Sequence, residues 1–105
     1  MAGLNEICIT QTAATVLALL GEKKGAEMAE PDRRVLAQAE KLYGAGGCDR
    51  VFMYHPDAVA MWIYEKYRAH FAQLEKRAAL RLPRRSVVPP VTPVAFASMY
   101  SGLQP

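Results

Sequence analysis

The sequence predicts an α/β fold, an incomplete core of parallel strands with helices packed against it. From residue 50 onward the pattern runs strand, helix, strand, helix, which is the order that produces a parallel sheet. The first of these strands, Arg50–His55 (RVFMYH), is rich in Val, Phe and Tyr and is bounded by a loop and by Pro56. Such a run is typical of a buried central strand.

Residues 1–48 are predicted to be mainly helical. A short β-compatible segment, Leu4–Thr10, precedes a helix over Gln11–Leu20. A second helix is expected over Pro31–Tyr43, because Val, Leu and Ala recur there at helical spacing and a glycine follows. Asp32 lies in its first turn, where a negative charge complements the helix dipole.

Residues 49–105 are predicted to carry the strand–helix–strand–helix unit. After the first strand, the longest helix is expected to run from an N-cap at Asp57 to Gln73. A second strand is expected over Ala78–Leu82. Prolines then keep the chain extended up to Thr92, which caps a short helix that ends near Gly102.

Length, charge and cysteine content restrict the class of protein. A chain of 105 residues suits one domain, and its 51% apolar residues argue for a globular protein. The net charge of +3 does not indicate nucleic-acid binding. Cys8 and Cys48 match no zinc or redox spacing, and the N-terminus has neither the basic region of a signal peptide nor a membrane-spanning run. These features predict a soluble, cytoplasmic protein.

Asp57 and Thr92 are the candidate site residues, because each follows a predicted strand or extended segment and begins a helix. Such positions lie at the carboxyl edge of a parallel sheet, where ligands bind, so neighbouring strands would bring both side chains to one site. A helix N-terminus suits an anion, or a hydroxyl that becomes an alkoxide. A nearby carboxylate can hold a metal that acidifies this hydroxyl. The alternative for Thr92 is a purely structural role as a helix cap.

Other polar residues are weaker candidates. His55 lies close to Asp57 in sequence but on the predicted strand, and His70 falls late on the long helix. Five cations precede the Thr92 segment: Lys76, Arg77, Arg81, Arg84 and Arg85. They would attract an anionic substrate or nucleic acid, or they simply face solvent. No aromatic residue interleaves with them, which argues against nucleic acid.

The segment around Thr92 also has a recognisable motif. Pro89-Pro90-Val91-Thr92 is followed by Ser101-Gly102, nine and ten residues past the threonine, and then by Pro105. This arrangement resembles the nucleophile segment of the alkaline phosphatase superfamily, in particular its type I phosphodiesterase and nucleotide pyrophosphatase branch. Residues 50–67 (RVFMYHPDAVAMWIYEKY) are similar to that family's first core strand, metal-binding Asp and following helix. The resemblance covers about residues 49–105.

The resemblance implies a metal-dependent hydrolase of phosphoric esters. Thr92 would be the nucleophile, would form a phosphothreonine intermediate and would touch a metal. Asp57 would be a ligand of one of two divalent ions, expected to be zinc. The substrate would be a small phosphate ester or a nucleotide. The sequence departs from the family at Ala58, where Gly is usual, and it stops at Pro105, before the family's His-Gly.

The remaining Asp and His ligands of the family are absent from these 105 residues. Residues 1–105 are therefore interpreted as a single incomplete domain, the N-terminal part of such an enzyme. The isolated chain is expected to be inactive and to expose apolar surface through which it could associate. Two alternatives without catalysis are open. One is a small helical interaction module with a closed core, and the other is a basic protein that binds nucleic acid in a strongly salt-dependent way.

Overall fold

A computed structural model of the chain describes residues 8–56, 59–88 and 90–105. These residues form α1 (Gln11–Leu19), α2 (Arg33–Tyr43), α3 (Met61–Lys66), α4 (Ala72–Arg77) and α5 (Thr92–Ser101). A 3₁₀-helix, Arg68–Phe71, lies between α3 and α4. In the described ranges, every helix is too short or too polar to cross a bilayer.

The predicted α/β fold with its parallel sheet is wrong. The described residues form no strand, and their β-type pairing is limited to one isolated parallel bridge between Cys8 and Arg85. The expected strand Arg50–His55 has no regular structure, and its Phe52 and Tyr54 are 90% and 80% exposed. Ala78–Leu82 forms no strand either. A β-compatible composition is not sufficient, because a strand is stabilised by the neighbours with which it pairs and packs.

The chain divides into two compact units. The first unit contains the described residues up to Phe52 together with those from Arg84 to Pro105, and it includes α1, α2 and α5. The second unit is Met53–Pro83, with α3, the 3₁₀-helix and α4.

In the first unit, α1 packs against both α2 and α5. All three helices were predicted from the sequence, and their bounds agree to within two residues. The helix ends follow local rules: α2 begins after Asp32, whose carboxylate accepts a hydrogen bond from the Arg34 amide. The last helix ends at Gly102, which adopts the left-handed conformation with φ of 75°. A side-chain cap thus marks the start of α2 and a left-handed glycine marks the end of α5, whereas the N-cap residues of α1 and α5, Thr10 and Val91, make no side-chain capping bond.

Few apolar side chains are buried among the described residues of this unit. The buried hydrophobic residues are Cys8, Ala14 and Val87, whereas the buried polar or charged residues are Thr10, Gln11, Thr15, Asp32 and Ser98. Hydrogen bonds must therefore compensate for much of the desolvation in this interior, since buried polar groups are costly unless they are paired.

The second unit contains the interrupted remainder of the predicted helix Asp57–Gln73. Asp57 lies outside the described residues, and regular helix begins only at Met61. At Tyr67 the backbone leaves the α-helical region, with φ of −111° and ψ of 33°, and the 3₁₀-helix follows. None of the described residues of this unit is buried. Its helices of four to six residues are too short to be stable alone, so their stability depends on side-chain contacts.

Candidate functional site

Thr92 is the first residue of α5 and is exposed. Val91 is the N-cap, with an extended backbone (φ −99°, ψ 151°), and Pro93 is tolerated in the first turn because it has no N–H that needs an acceptor. The helix therefore begins one residue earlier than predicted, and Thr92 is not its cap. The first backbone amides of a helix lack intrahelical acceptors, so an anion near the Thr92 hydroxyl would meet N–H donors and the positive end of the dipole.

Asp57 and Thr92 were expected to meet at the edge of a parallel sheet, but the described residues form no such sheet. Asp57 itself lies outside the described residues. Within 8–56, 59–88 and 90–105, no group of three or more His, Cys, Asp or Glu could hold a metal ion. The metal-binding role of Asp57 and Thr92 therefore stays a prediction.

Neither histidine belongs to a cluster of potential metal ligands among the described residues. His55 is half-buried, whereas His70 is exposed with its ring centroid 6.2 Å from that of Tyr67. The described surroundings of His55 and His70 therefore do not indicate a catalytic or metal-binding role for either residue.

The predicted basic run is largely engaged within the chain. Arg77 donates from Nη1 to Oε1 of Gln73 at 2.6 Å, and Arg81 pairs through Nη1 with Oε1 of Glu75 at 2.9 Å. Arg84 pairs with the buried carboxylate of Asp32. These contacts orient three of the five cations toward protein partners, which weakens the case for a phosphate-backbone surface.

The partner of Arg84 is Asp32, a buried carboxylate with 2% of its side chain exposed. Its Oδ1 accepts from the backbone N and from Nε of Arg34, at 2.9 and 3.1 Å. Its Oδ2 accepts from Nη2 of Arg34 at 3.0 Å and from Nη2 of Arg84 at 2.5 Å. The carboxylate thus links the start of α2 to a segment 52 residues away.

Two further residues complete this cluster. The Thr15 hydroxyl accepts from the Asp32 amide at 2.8 Å and donates to the Gln11 carbonyl at 2.6 Å. Arg84 also donates to Oε1 of Gln11 at 3.3 Å and to the Cys8 carbonyl at 3.4 Å. We call Asp32, Arg34, Arg84, Thr15 and Gln11 the Asp32 cluster.

The electrostatics of Asp32 keep it ionised. Burial raises the pKa of the carboxyl group, but hydrogen bonds from Arg34 and the positive charges of Arg84 and Arg34 outweigh burial, so the pKa lies below its usual value. A carboxylate with a low pKa and two guanidinium partners is a poor general base. The Asp32 cluster therefore has the properties of a structural ion-pair network.

A cleft of about 700 Å³ lies beside this cluster in the first unit. Its walls include Gln11, Met28, Glu30, Asp32, Arg34 and Gly102. Among the described residues, every buried side-chain nitrogen and oxygen has a hydrogen-bond partner. The cleft therefore offers volume but no unpaired buried group that would call for a ligand.

Both cysteines are free thiols. Cys8 is buried, and Gln104 donates from Nε2 to its Sγ at 3.7 Å. Burial raises the pKa of this thiol, but hydrogen bonds from Thr10, Gln104 and Ile9 lower it by more than burial raises it. The pKa of Cys8 therefore lies below its usual value.

The Asp32 cluster was not predicted from the sequence. Asp32 was expected in the first turn of a helix from Pro31, whereas it is the N-cap that precedes α2, and Arg84 was interpreted as one cation in a basic run. No local pattern connects residues 52 positions apart, and a buried ion pair has no periodicity that could reveal it.

Comparison of the chain with protein-family models, with curated proteins and with solved structures finds no match in any of the three searches.

Proposed function

We propose that the protein contributes the nucleophile segment of a metal-dependent hydrolase of phosphoric esters. Thr92 is the nucleophile in this proposal, Asp57 is a ligand of one of two divalent ions, and the substrate is a phosphate ester or nucleotide. The proposal includes a cytoplasmic location, which two free cysteines suit.

The observation that carries the proposal is the placement of Thr92 in the first turn of α5, where it is exposed and follows Val91, whose backbone is extended. In such a position the hydroxyl oxygen can approach phosphorus while first-turn amides donate to the phosphoryl oxygens. The Oγ1–P bond would form as the P–O bond to the leaving alcohol breaks, and the leaving oxygen would take a proton from solvent. Water would later cleave the Oγ1–P bond, which releases the phosphate product and restores the Thr92 hydroxyl. The Thr92 proton must leave for this attack, and a hydroxyl needs a base or a metal ion for that.

The described residues do not supply the three or more ligands that a zinc ion normally requires. We therefore expect the isolated chain to have little or no activity, and further protein to supply the missing ligands.

Exposed apolar residues in the second unit support such an association. Tyr54 and Trp62 are 80% and 64% exposed. Large aromatic side chains in water are typical of surfaces that another protein covers. The same exposed side chains support a second candidate function, a helical interaction module without catalysis that binds a partner protein.

One experiment distinguishes the two candidates. The gene product is isolated from its source together with its associated proteins, its intact mass is determined, and hydrolysis of bis(4-nitrophenyl) phosphate is measured with added zinc. Thr92→Ser keeps the hydroxyl and should retain measurable turnover, whereas Thr92→Ala should lose at least about a thousandfold in kcat. A phosphorylated Thr92 peptide should appear in the wild type alone.

Turnover by Thr92→Ala equal to that of the wild type would refute the assignment of the nucleophile. If no form of the assembly hydrolyses phosphate esters, while wild type and Thr92→Ala capture the same partner, the interaction module is the better description.

A further inference from the structure

The second unit contains a pocket of about 460 Å³ that the proposed hydrolase does not use. Its apolar walls come from Phe71, Leu74, Ala78, Ala79 and Leu80. Leu74 and Leu80 are 60% and 40% exposed, so this apolar surface is in contact with water. The volume lies in the range of about 300–1,000 Å³ that is usual for small-molecule sites.

Two arginines of the same pocket are oriented by one carboxylate. Arg68 donates from Nε to Oε1 of Glu75 at 2.9 Å, and Arg81 donates from Nη1 to the same oxygen at 2.9 Å. Nη1 of Arg81 also donates to the Tyr64 hydroxyl at 2.9 Å, and its guanidinium carbon lies 5.4 Å from the centre of the Tyr64 ring. The Tyr64 hydroxyl in turn bonds to Glu75. These contacts reduce the rotamer freedom that a ligand would otherwise have to restrict.

The charges in this arrangement do not cancel. Two guanidinium groups face one carboxylate, so the pocket carries a net positive charge of one. Each guanidinium has five N–H donors, and the contacts to Glu75 and Tyr64 engage only some of them. The side chains of Arg68 and Arg81 are 59% and 53% exposed, so a ligand can reach the remaining donors.

We propose that this pocket binds a small amphipathic anion. The anionic head, a carboxylate or a phosphate, is bound by Arg68 and Arg81, whose planar groups match the geometry of either head. The apolar tail lies against Phe71, Leu74 and Leu80, where it covers surface that is now in contact with water. This binding is independent of Thr92 and of the proposed hydrolysis.

The test is a calorimetric titration of the full chain with decanoate and with decyl phosphate, each below its micelle concentration. Saturable binding of one molecule per chain is expected for at least one head group, and decyltrimethylammonium, which has the same tail and the opposite charge, should not bind. Octanoate should bind more weakly than decanoate by about fourfold for each methylene removed.

Matched variants separate a site from a general charge effect. Arg68→Gln and Arg81→Gln should each weaken binding by about tenfold or more, because each removes charged donors from the head group. Arg77→Gln removes the same charge from the same unit, but Arg77 bonds to Gln73 and does not line the pocket, so affinity should stay within about twofold.

Three results would overturn the proposal: no saturable binding of either anion, equal binding of the cationic analogue, or equal losses in Arg77→Gln and Arg68→Gln. Far-UV circular dichroism checks that the variants keep their helix content. If an arginine variant loses helix, Leu80→Asn replaces it as the test, because Leu80 is outside the ion pairs. It should weaken decanoate binding several-fold, and unchanged affinity would also refute the site.

Discussion

Replacement of Asp32 by alanine should destabilise the first unit more than any other substitution of a single charge there. Asp32 is the N-cap of α2 and the buried partner of Arg84. The change removes four hydrogen bonds to the carboxylate, two to each oxygen. It also leaves the Arg84 guanidinium, whose side chain is only 20% exposed, without its counter-charge.

The magnitude follows from these two losses. Loss of an N-cap costs about 1 kcal/mol. Removal of one partner from a fully buried ion pair costs about 3–5 kcal/mol. Arg84 keeps some contact with water and Arg34 is 46% exposed, so we expect loss of the ion pairs to lower the free energy of unfolding by about 2 kcal/mol. The total is about 3 kcal/mol, and with a slope near 1.5 kcal/mol per M this lowers the urea midpoint by about 2 M.

The assay must measure the unfolding of the first unit. The single tryptophan, Trp62, lies in the second unit, so its fluorescence is not suitable. Hydrogen exchange of the α1 and α2 amides in urea, read by mass spectrometry, reports on the correct region. Asp49→Ala is the control, because Asp49 is exposed in the same unit, and it should change stability by less than about 0.5 kcal/mol. Equal effects of the two substitutions would show that the Asp32 cluster does not stabilise the fold.

The other predictions concern pH, a turn and the thiols. The pKa of Asp32 is lower in the folded protein than in the unfolded chain, so its contribution to the stability of the first unit is present above the unfolded pKa, at pH about 4, and is lost as the pH falls through the folded pKa. Asp32→Asn should therefore remove the acid-dependent loss of protection in hydrogen exchange. If the variant keeps this acid dependence, another carboxyl group causes it. Gly47→Ala should lower the free energy of unfolding, measured in thermal melts, by about 1–3 kcal/mol, because φ is +76° and the new Cβ would lie 2.7 Å from the backbone oxygen of Leu19. Gly46→Ala is the control: its Cβ would have no atom within 4 Å, so the free energy of unfolding should not change. A thiol reagent should modify half-buried Cys48 quickly and buried Cys8 only as the unit opens, so two equally fast thiols would contradict the structure.

Local sequence patterns were sufficient for the helices of the first unit. A helix is built from contacts three and four residues apart, and its ends are marked by residues such as Asp32 and Gly102 whose preferences are local. The position of Thr92 at the start of α5 followed from the same kind of pattern, to within one residue.

Only the tertiary structure decided whether the β-compatible segments form strands and which charged side chains are buried. A strand requires partners elsewhere in the chain, and RVFMYH has the right composition but remains exposed at Phe52 and Tyr54. Likewise, Arg84 could be distinguished from the neighbouring cations only after folding brought it to Asp32. Helix caps depend on adjacent residues, whereas sheets and buried ion pairs depend on residues far apart in the chain. Contacts between distant residues leave no local pattern in a single sequence, so they cannot be recognised there.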